Sequence, residues 1–399
     1  MKLLKVPEVQ QEKIHLVSNI LILEEIKTMF TIETNTLKDI LSKVGKCASN
    51  DKTAPLTQLM HIYASKDKLQ FTTTNQIDTC IYTYTISENQ VEFEDFDVTV
   101  MVDQFIKLVS KFTCAYTEFG LSDSGNEIII RGNGSYKLAL PLDNGGPIVY
   151  PAIKADFDVN SDVYTGPVYS IVGAAKCTEG SLTKITSDMP TEDFPRTNYY
   201  FNDTGCITLD GFKASWLRDD TILPFETLIY PSTIKMLSVI DSLGRDITAY
   251  KSTSGHLIFK NDIVTLISNE ARGCDVFPYE VATSLIDSPM EASVQVSPGH
   301  FLAALDRLKL FIAIDDDNCI KLEFSDKGLF AYNCAKSCSE QISAEALDEF
   351  ECFVDIDNLV SQLKAFDADE SITLGFGMDA IIQFEGDGLG QIVVLSEIE

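Results

Sequence analysis

Six stretches of the chain, residues 36–47, 102–113, 166–177, 231–242, 298–312 and 355–366, space their apolar residues three and four positions apart. That spacing predicts six amphipathic helices of about 12 residues, each with one buried face. A short apolar run precedes each helix, and several short runs follow it. The order is plainest in FDVTVMVDQFIKLVSKF followed by EIIIRGNGSYKLALPL, within Phe96–Leu142. It recurs in Glu226–Ser268, in Phe350–Leu395 and in three intervening segments of related pattern. Asp103, Ser232 and Asp355 stand where a side-chain oxygen would cap a first helical turn.

Apolar and polar residues alternate through Ile128–Leu140 and Ile320–Tyr332, which predicts antiparallel strands with one buried face. Asn133-Gly134 and Asp326-Lys327-Gly328 suit the tight turns between them. Beyond residue 28 the pattern divides into six strand–helix–strand units of about 60 residues. Grouped two by two, they predict an α+β fold of three tandem domains, over residues 29–150, 151–288 and 289–399. Pro147–Pro151 and Asp287–Pro289 are the expected seams.

Apolar residues make up 45% of the 399, enough for sizeable cores. No run of 18 apolar residues occurs, so no transmembrane helix is expected. The run Leu16–Leu23 follows Glu8 and Glu12 and is broken by Ser18 and Asn19, so it reads as neither signal peptide nor anchor. The ten cysteines form no CxxC pair, and reduced thiols in a cytosolic protein are the expectation.

Charge changes the picture most. The net charge is −29, which argues against a chain coated with phosphate-binding residues. Yet the six helical stretches hold ten basic residues against six acidic ones, so the acidic excess lies outside them. Lys38, Lys43, Lys46, Lys107, Lys111, Lys176, Lys235, Arg307 and Lys364 are the candidate cations, with Lys309 near an apolar edge. On a helical wheel Lys38, Lys43 and Lys46 oppose Leu37, Ile40, Leu41 and Val44. Lys107 and Lys111 oppose Phe105, Val109 and Phe112, and Arg307 opposes Phe301, Leu302, Leu305 and Leu308.

Three tandem two-unit domains with basic helices resemble the bacterial sliding clamp, the DNA polymerase III β subunit family. MFTIETNTLKDIL from Met29 looks like that family's N-terminus, which leaves residues 1–28 as an N-terminal extension. CITLDGFKASWL (Cys206–Leu217) looks like its threonine-aspartate-glycine-histidine-arginine strand, with Phe212 and Lys213 where histidine and arginine are usual. VFPYE (Val276–Glu280) resembles its phenylalanine-proline turn, and QIVVL its terminal strand. The tail Ser396-Glu397-Ile398-Glu399 departs from the family's methionine-proline-methionine-arginine ending.

The resemblance implies a DNA-clamp fold with helices inside and sheets outside, and a homodimeric ring around duplex DNA that tethers a polymerase. It implies a non-enzymatic processivity factor that needs no cofactor. The nine cations would face DNA without reading sequence. A partner pocket for short apolar peptides of polymerase and clamp-loader subunits would include Leu209, Gly211, Phe212, Lys213, Pro278, Val393, Val394 and Leu395. Arg131, Tyr136, Lys137 and Leu138 would meet Leu310, Phe311, Glu340 and Glu345 of a second copy. A clamp-like decoy that binds clamp partners without encircling DNA is the alternative.

Other motifs lead nowhere catalytic. His15, His61, His256 and His300 lack metal-ligand spacing. Asp315-Asp316-Asp317 reads as a solvated turn, and Gly386-x-Gly388-x-Gly390 as a hairpin turn between strands.

Overall fold

The computed structural model describes residues 29–86, 95–153, 155–312, 318–345, 349–377 and 381–396. Residues 1–28, expected as an extension, the aspartates at 315–317 and the last three residues of the sequence lie outside them.

Seven α-helices occur among the described residues. They are α1 (Thr34–Val44), α2 (Val102–Ser110), α3 (Val168–Thr178), α4 (Pro231–Asp241), α5 (Tyr279–Ile286), α6 (Pro298–Leu308) and α7 (Ile356–Leu363). Six match the six periodic stretches. In α1 the spacing of Leu37, Ile40, Leu41 and Val44 buries all four side chains on one face. The expected stretches 36–47 and 298–312 each end in a 3₁₀ turn, Gly45–Cys47 and Lys309–Phe311.

Helix starts differ from expectation. Asp355 does cap α7, accepting from the Asn358 N–H, and Ser297 caps α6 in the same way. Asp103 instead sits inside the first turn of α2, where its carboxylate pairs with Lys107 at 2.6 Å. Ser232 follows Pro231, which opens α4 with no side-chain cap.

Each of the six amphipathic helices follows one strand and precedes three, with a further two-residue pair, Leu142–Asp143 and Gly146–Pro147, after the second unit, so the repeat read from the sequence is the repeat of the fold. The first strand of each unit leaves its own three strands for those of a neighbouring unit. Phe30–Glu33 joins Tyr116–Leu121, Glu127–Arg131 and Ser135–Ala139, while Phe96–Met101 pairs with Leu59–Ala64. Thr227–Ile229 joins Tyr199–Asn202, and Tyr164–Pro167 pairs with Asp246–Lys251. Phe350–Asp355 joins Cys319–Ser325, and Met290–Val296 pairs with Ile372–Gly377.

The described residues form two compact units, one from residue 29 to 156 with 258–268, and one of 157–257 with 269–396. In the first, α1 packs on α2 over a core that includes Phe105 and Phe119, whose rings meet edge to face at 6.3 Å. The segment 258–268 contributes residues 264–268, which pair antiparallel with residues 78–82.

The second unit holds an eight-stranded antiparallel sheet. Its order is Thr227–Ile229, Tyr199–Asn202, Gly205–Leu209, Lys213–Arg218, Leu389–Val394, Ile381–Gly386, Ile372–Gly377 and Met290–Val296. The central pairing sets Lys213 opposite Val393, Ala214 opposite Ile392 and Ser215 opposite Gln391. Residues nearly 180 positions apart thereby share one ladder. A buried polar cluster backs it: Gln362 of α7 donates to Ser181 Oγ at 2.5 Å and accepts from Ser215 Oγ at 3.0 Å. The hairpin turn between Ile381–Gly386 and Leu389–Val394 carries Asp387 and Gly388 at positive φ.

All ten cysteines are free, and burial pushes the thiols of Cys80, Cys206 and Cys352 up to about 12. They stay protonated at neutral pH and act as small core residues. No helix among the described residues is long and apolar enough to cross a membrane.

The tightest backbone turn in the large sheet is at Gly205, with φ of +130°, where a Cβ would lie 1.9 Å from the Leu217 carbonyl oxygen. Gly205→Ala is therefore expected to cost more than about 2 kcal/mol in urea unfolding. Gly125→Ala, at a positive φ with open space around it, should cost about 1 kcal/mol.

Candidate functional site

The hairpin joining Gly205–Leu209 to Lys213–Arg218 turns on Asp210, Gly211 and Phe212. The Asp210 carboxylate accepts from the backbone N–H groups of Phe212 and Lys213, both at 2.9 Å, and Gly211 takes a φ of +96°. These bonds hold Phe212 out at the tip, 64% exposed. From the far side of the seam the Val394 N–H donates to the Phe212 carbonyl at 2.8 Å.

Helix α5 stands against this hairpin. Phe277 just before it stacks on Tyr200 at 4.5 Å. At its other end Gln383 donates to the carbonyls of Leu285 and Ser288, at 3.3 and 2.8 Å. Arg218 reaches Asp287 at 2.6 Å while lying over the Trp216 ring.

Between α5 and the sheet lies an apolar cavity of about 240 Å³. Its lining comprises Arg196, Leu209, Gly211, Phe212, Lys213, Ala214, Pro278, Val281, Ala282, Leu285, Ile392 and Val394. Six of the eight residues expected at a pocket are thus gathered here: Leu209, Gly211, Phe212, Lys213, Pro278 and Val394. Val393 and Leu395 are not. Strand alternation turns Val393 to the opposite face, where it is fully buried in the core with Leu359 and Leu363, and Leu395 packs against that same core. Sequence reasoning missed Arg196, Ala214, Val281, Ala282, Leu285 and Ile392. Val281 and Leu285 sit one helical turn apart on a helix that the periodicity did not predict.

The two cations in the lining are already partnered. Lys213 Nζ lies 3.1 Å from Asp210 and donates to Ser361 of α7 at 3.3 Å, while Arg196 pairs with Asp193 at 3.0 Å.

The nine helical cations fall into two sets. Lys46, Lys111, Lys176, Lys235 and Lys364 are exposed and pair with no carboxylate among the described residues. The other four are engaged. Lys38 donates to the Phe112 carbonyl at 2.5 Å, Lys43 pairs with Asp39 at 2.5 Å and Lys107 with Asp103. Arg307 grips Glu340 with Nε at 2.7 Å and Nη2 at 2.9 Å, so two residues expected at separate surfaces meet within one chain. Lys309 likewise pairs with Asp357.

Arg131, Tyr136, Lys137 and Leu138 lie on or beside Ser135–Ala139, an edge strand of the first unit's four-stranded sheet. Glu340 lies on Ser339–Ser343, an edge strand of a sheet in the second unit. Leu310 and Phe311 project nearby in sequence to α6, 80% and 57% exposed. Glu345 accepts from the Gln295 N–H at 3.0 Å. No group of three or more His, Cys, Asp or Glu side chains is placed to hold a metal among the described residues.

Six units of a strand, a helix and three strands, exchanging first strands between neighbours, define the sliding-clamp fold. Solved structures bear this out. The chain superimposes on the DNA polymerase sliding clamp of Bacillus subtilis with a TM-score of 0.77, at 18% identity, covering 94% of this chain and all of that one. The DNA polymerase III β chain of Streptococcus pneumoniae gives 0.78 at 12% identity, over 93% of this chain and 100% of its own. The β subunit of Pseudomonas aeruginosa gives 0.76 at 13%, with the same coverage. No family model and no curated protein matches the sequence. The fold is shared at an identity of 12–18%.

Two measurements check the site's construction. Phe277→Ala removes a ring that is 7% exposed and stacked, and is expected to cost about 3–5 kcal/mol in denaturant unfolding. The Arg307 guanidinium holds the Glu340 carboxyl below its usual range. Such a depressed group stabilises the fold above its unfolded pKa of about 4.3 and ceases to do so as pH falls through the lower folded value. Thermal melts should therefore weaken below about pH 4, less steeply in Glu340→Gln than in the parent.

Proposed function

We propose that this protein is a sliding clamp: two copies close into a ring around duplex DNA and hold a DNA polymerase at the primer end. The fold supports this reading, since the structures it superimposes on are, by name, DNA polymerase sliding clamps. The carrying observation is charge segregation. In a chain of net charge −29, five exposed, unpaired lysines sit on or just beyond five of the six repeat helices.

The physics of sliding requires little more. A ring that must translate along DNA cannot read base edges, and it should hold phosphates by long-range attraction that salt screens. Lys46, Lys111, Lys176, Lys235 and Lys364 supply that field, with Lys43, Lys107 and Arg307 as a second tier whose charge is offset by intramolecular carboxylates, and with Lys38 held to a carbonyl that leaves its charge uncompensated. The acidic remainder keeps DNA from adhering elsewhere. No chemistry is asked of the protein, which acts as a processivity factor and not as an enzyme. Tethering raises the effective concentration of polymerase at the primer end.

In this reading the three domains are residues 29–150, 151–288 and 289–399, and the ring closes edge to edge. Ser135–Ala139 of one copy would add to Ser339–Ser343 of the other, because bare strand edges need a partner. Tyr136, Leu310 and Phe311, all exposed in the single chain, would be covered there. The cavity beneath α5 would take an apolar peptide segment of the polymerase or of a loading protein.

The charge reading has a direct test. Replacing Lys46, Lys111, Lys176, Lys235 and Lys364 together by Glu should abolish stable association with circular duplex DNA while light scattering still gives twice the 44.2 kDa chain mass. Unchanged association would remove those lysines from the DNA path, and a strictly monomeric parent would remove the ring.

A further inference from the structure

We propose that the cavity beneath α5 selects peptides whose apolar anchors are flanked by lysine or arginine. The inference rests on the peptide-pocket reading and goes beyond it by naming the occupant's chemistry.

The cavity holds about 240 Å³, below the roughly 300–1,000 Å³ of sites that engulf a drug-sized molecule. It therefore suits one or two side chains of a segment lying across its mouth. Those anchors must be apolar, because the walls are Leu209, Ala214, Ala282, Leu285 and Ile392.

The mouth has a different character. Phe212 and Val281 stand 64% and 59% exposed on either side of it. Both nearby cations are spoken for, Lys213 by Asp210 and Arg196 by Asp193. The segments that supply the rim also carry Glu192, Asp275 and Glu280, all exposed and without an ion-pair partner among the described residues. A Cβ at Gly273 would lie 2.6 Å from the Pro195 ring, so the segment bearing Asp275 lies beside the one bearing Glu192. Arg272 is the single unpaired cation in these rim segments. The rim is thus net negative, on a protein whose overall field repels acidic segments.

A lysine or arginine beside the apolar anchors satisfies both features. Its charge meets the free carboxylates, and its head can lie over the exposed Phe212 ring. Its aliphatic stem would cover Val281. A glutamate at the same place would meet carboxylates and an aromatic face, both of which repel it. Phe212 is then a specificity-determining residue, and Asp275 and Glu280 set the sign of the selection.

The experiment uses the full chain and three fluorescein-labelled probe peptides. Each carries paired leucines, flanked on both sides by lysines, by serines or by glutamates. At about 0.01 M salt, where charges act over about 30 Å, the lysine-flanked probe should bind about tenfold tighter than the serine-flanked one, and the glutamate-flanked probe weakest. The order should collapse at about 1 M salt. Asp275→Lys with Glu280→Lys should erase or invert it, with circular dichroism showing that the fold persists. Phe212→Ala should weaken the lysine-flanked probe more than the serine-flanked one. Excess unlabelled serine-flanked peptide must displace the lysine-flanked probe, since failure to compete would place its binding elsewhere and overturn the inference. Binding of the serine-flanked probe with no gain from lysines overturns the inference and leaves the pocket standing. Failure of all three probes to bind overturns both.

Discussion

The large sheet of the second unit depends on one pairing, Lys213–Leu217 against Leu389–Val393. It is the single ladder through which two sets of strands, one from residues 199–229 and one from residues 290–394, become continuous. An antiparallel ladder fixes register absolutely, since a slip of one residue would turn every side chain to the other face. Here that register places Ala214 and Ile392 under α5, and Ser215 beside the buried amide of Gln362. An apolar cavity on one face and a satisfied polar cluster on the other are consequences of the same alignment. A buried polar cluster of this kind specifies one arrangement more than it adds stability, because any shifted packing would leave its donors unpaired.

The repeat shows how much of a fold can be read from periodicity alone. Six helices and their flanking strands were legible because each buries one stripe and exposes the other, and because the same order recurs six times. The seventh helix was not. Tyr279–Ile286 begins directly after Pro278, overlaps the segment Val276–Glu280 that resembles a turn, and stands outside the sixfold order of strand, helix and strands. Its loss hid Val281, Ala282 and Leu285, three of the cavity's walls. The run Ile392 to Leu395 was misread for another reason. All four residues are apolar, so sequence cannot tell which of them face the cavity, and only pairing with Lys213–Arg218 settles the parity.

Charge was legible in sum and not in detail. Wheel projections placed Lys38, Lys43, Lys46, Lys107, Lys111 and Arg307 opposite the buried faces, and of these Lys46 and Lys111 stand exposed and unpaired among the described residues. They could not reveal that Lys38 would bond the carbonyl at the end of α2, or that Arg307 would close on Glu340, because those partners lie 74 and 33 residues away. Exposed ion pairs such as Arg307–Glu340 contribute little stability, about 0–1 kcal/mol each. Their larger effect is on the field, since a paired cation presents less charge to a distant phosphate. Under the sliding-clamp proposal, the division into free and engaged cations ranks them by the charge that each would offer to DNA.

A topological tether differs from every contact-based binder in one respect: its hold ends when the DNA has an end. The decisive measurement follows the protein, loaded onto closed circular duplex, through gel filtration before and after a restriction enzyme cuts the circle once. The account predicts co-elution with the circle and release from the linear product, with no change of salt or temperature. Equal retention on both forms would mean that the protein grips DNA by contact, and the ring would have to be given up.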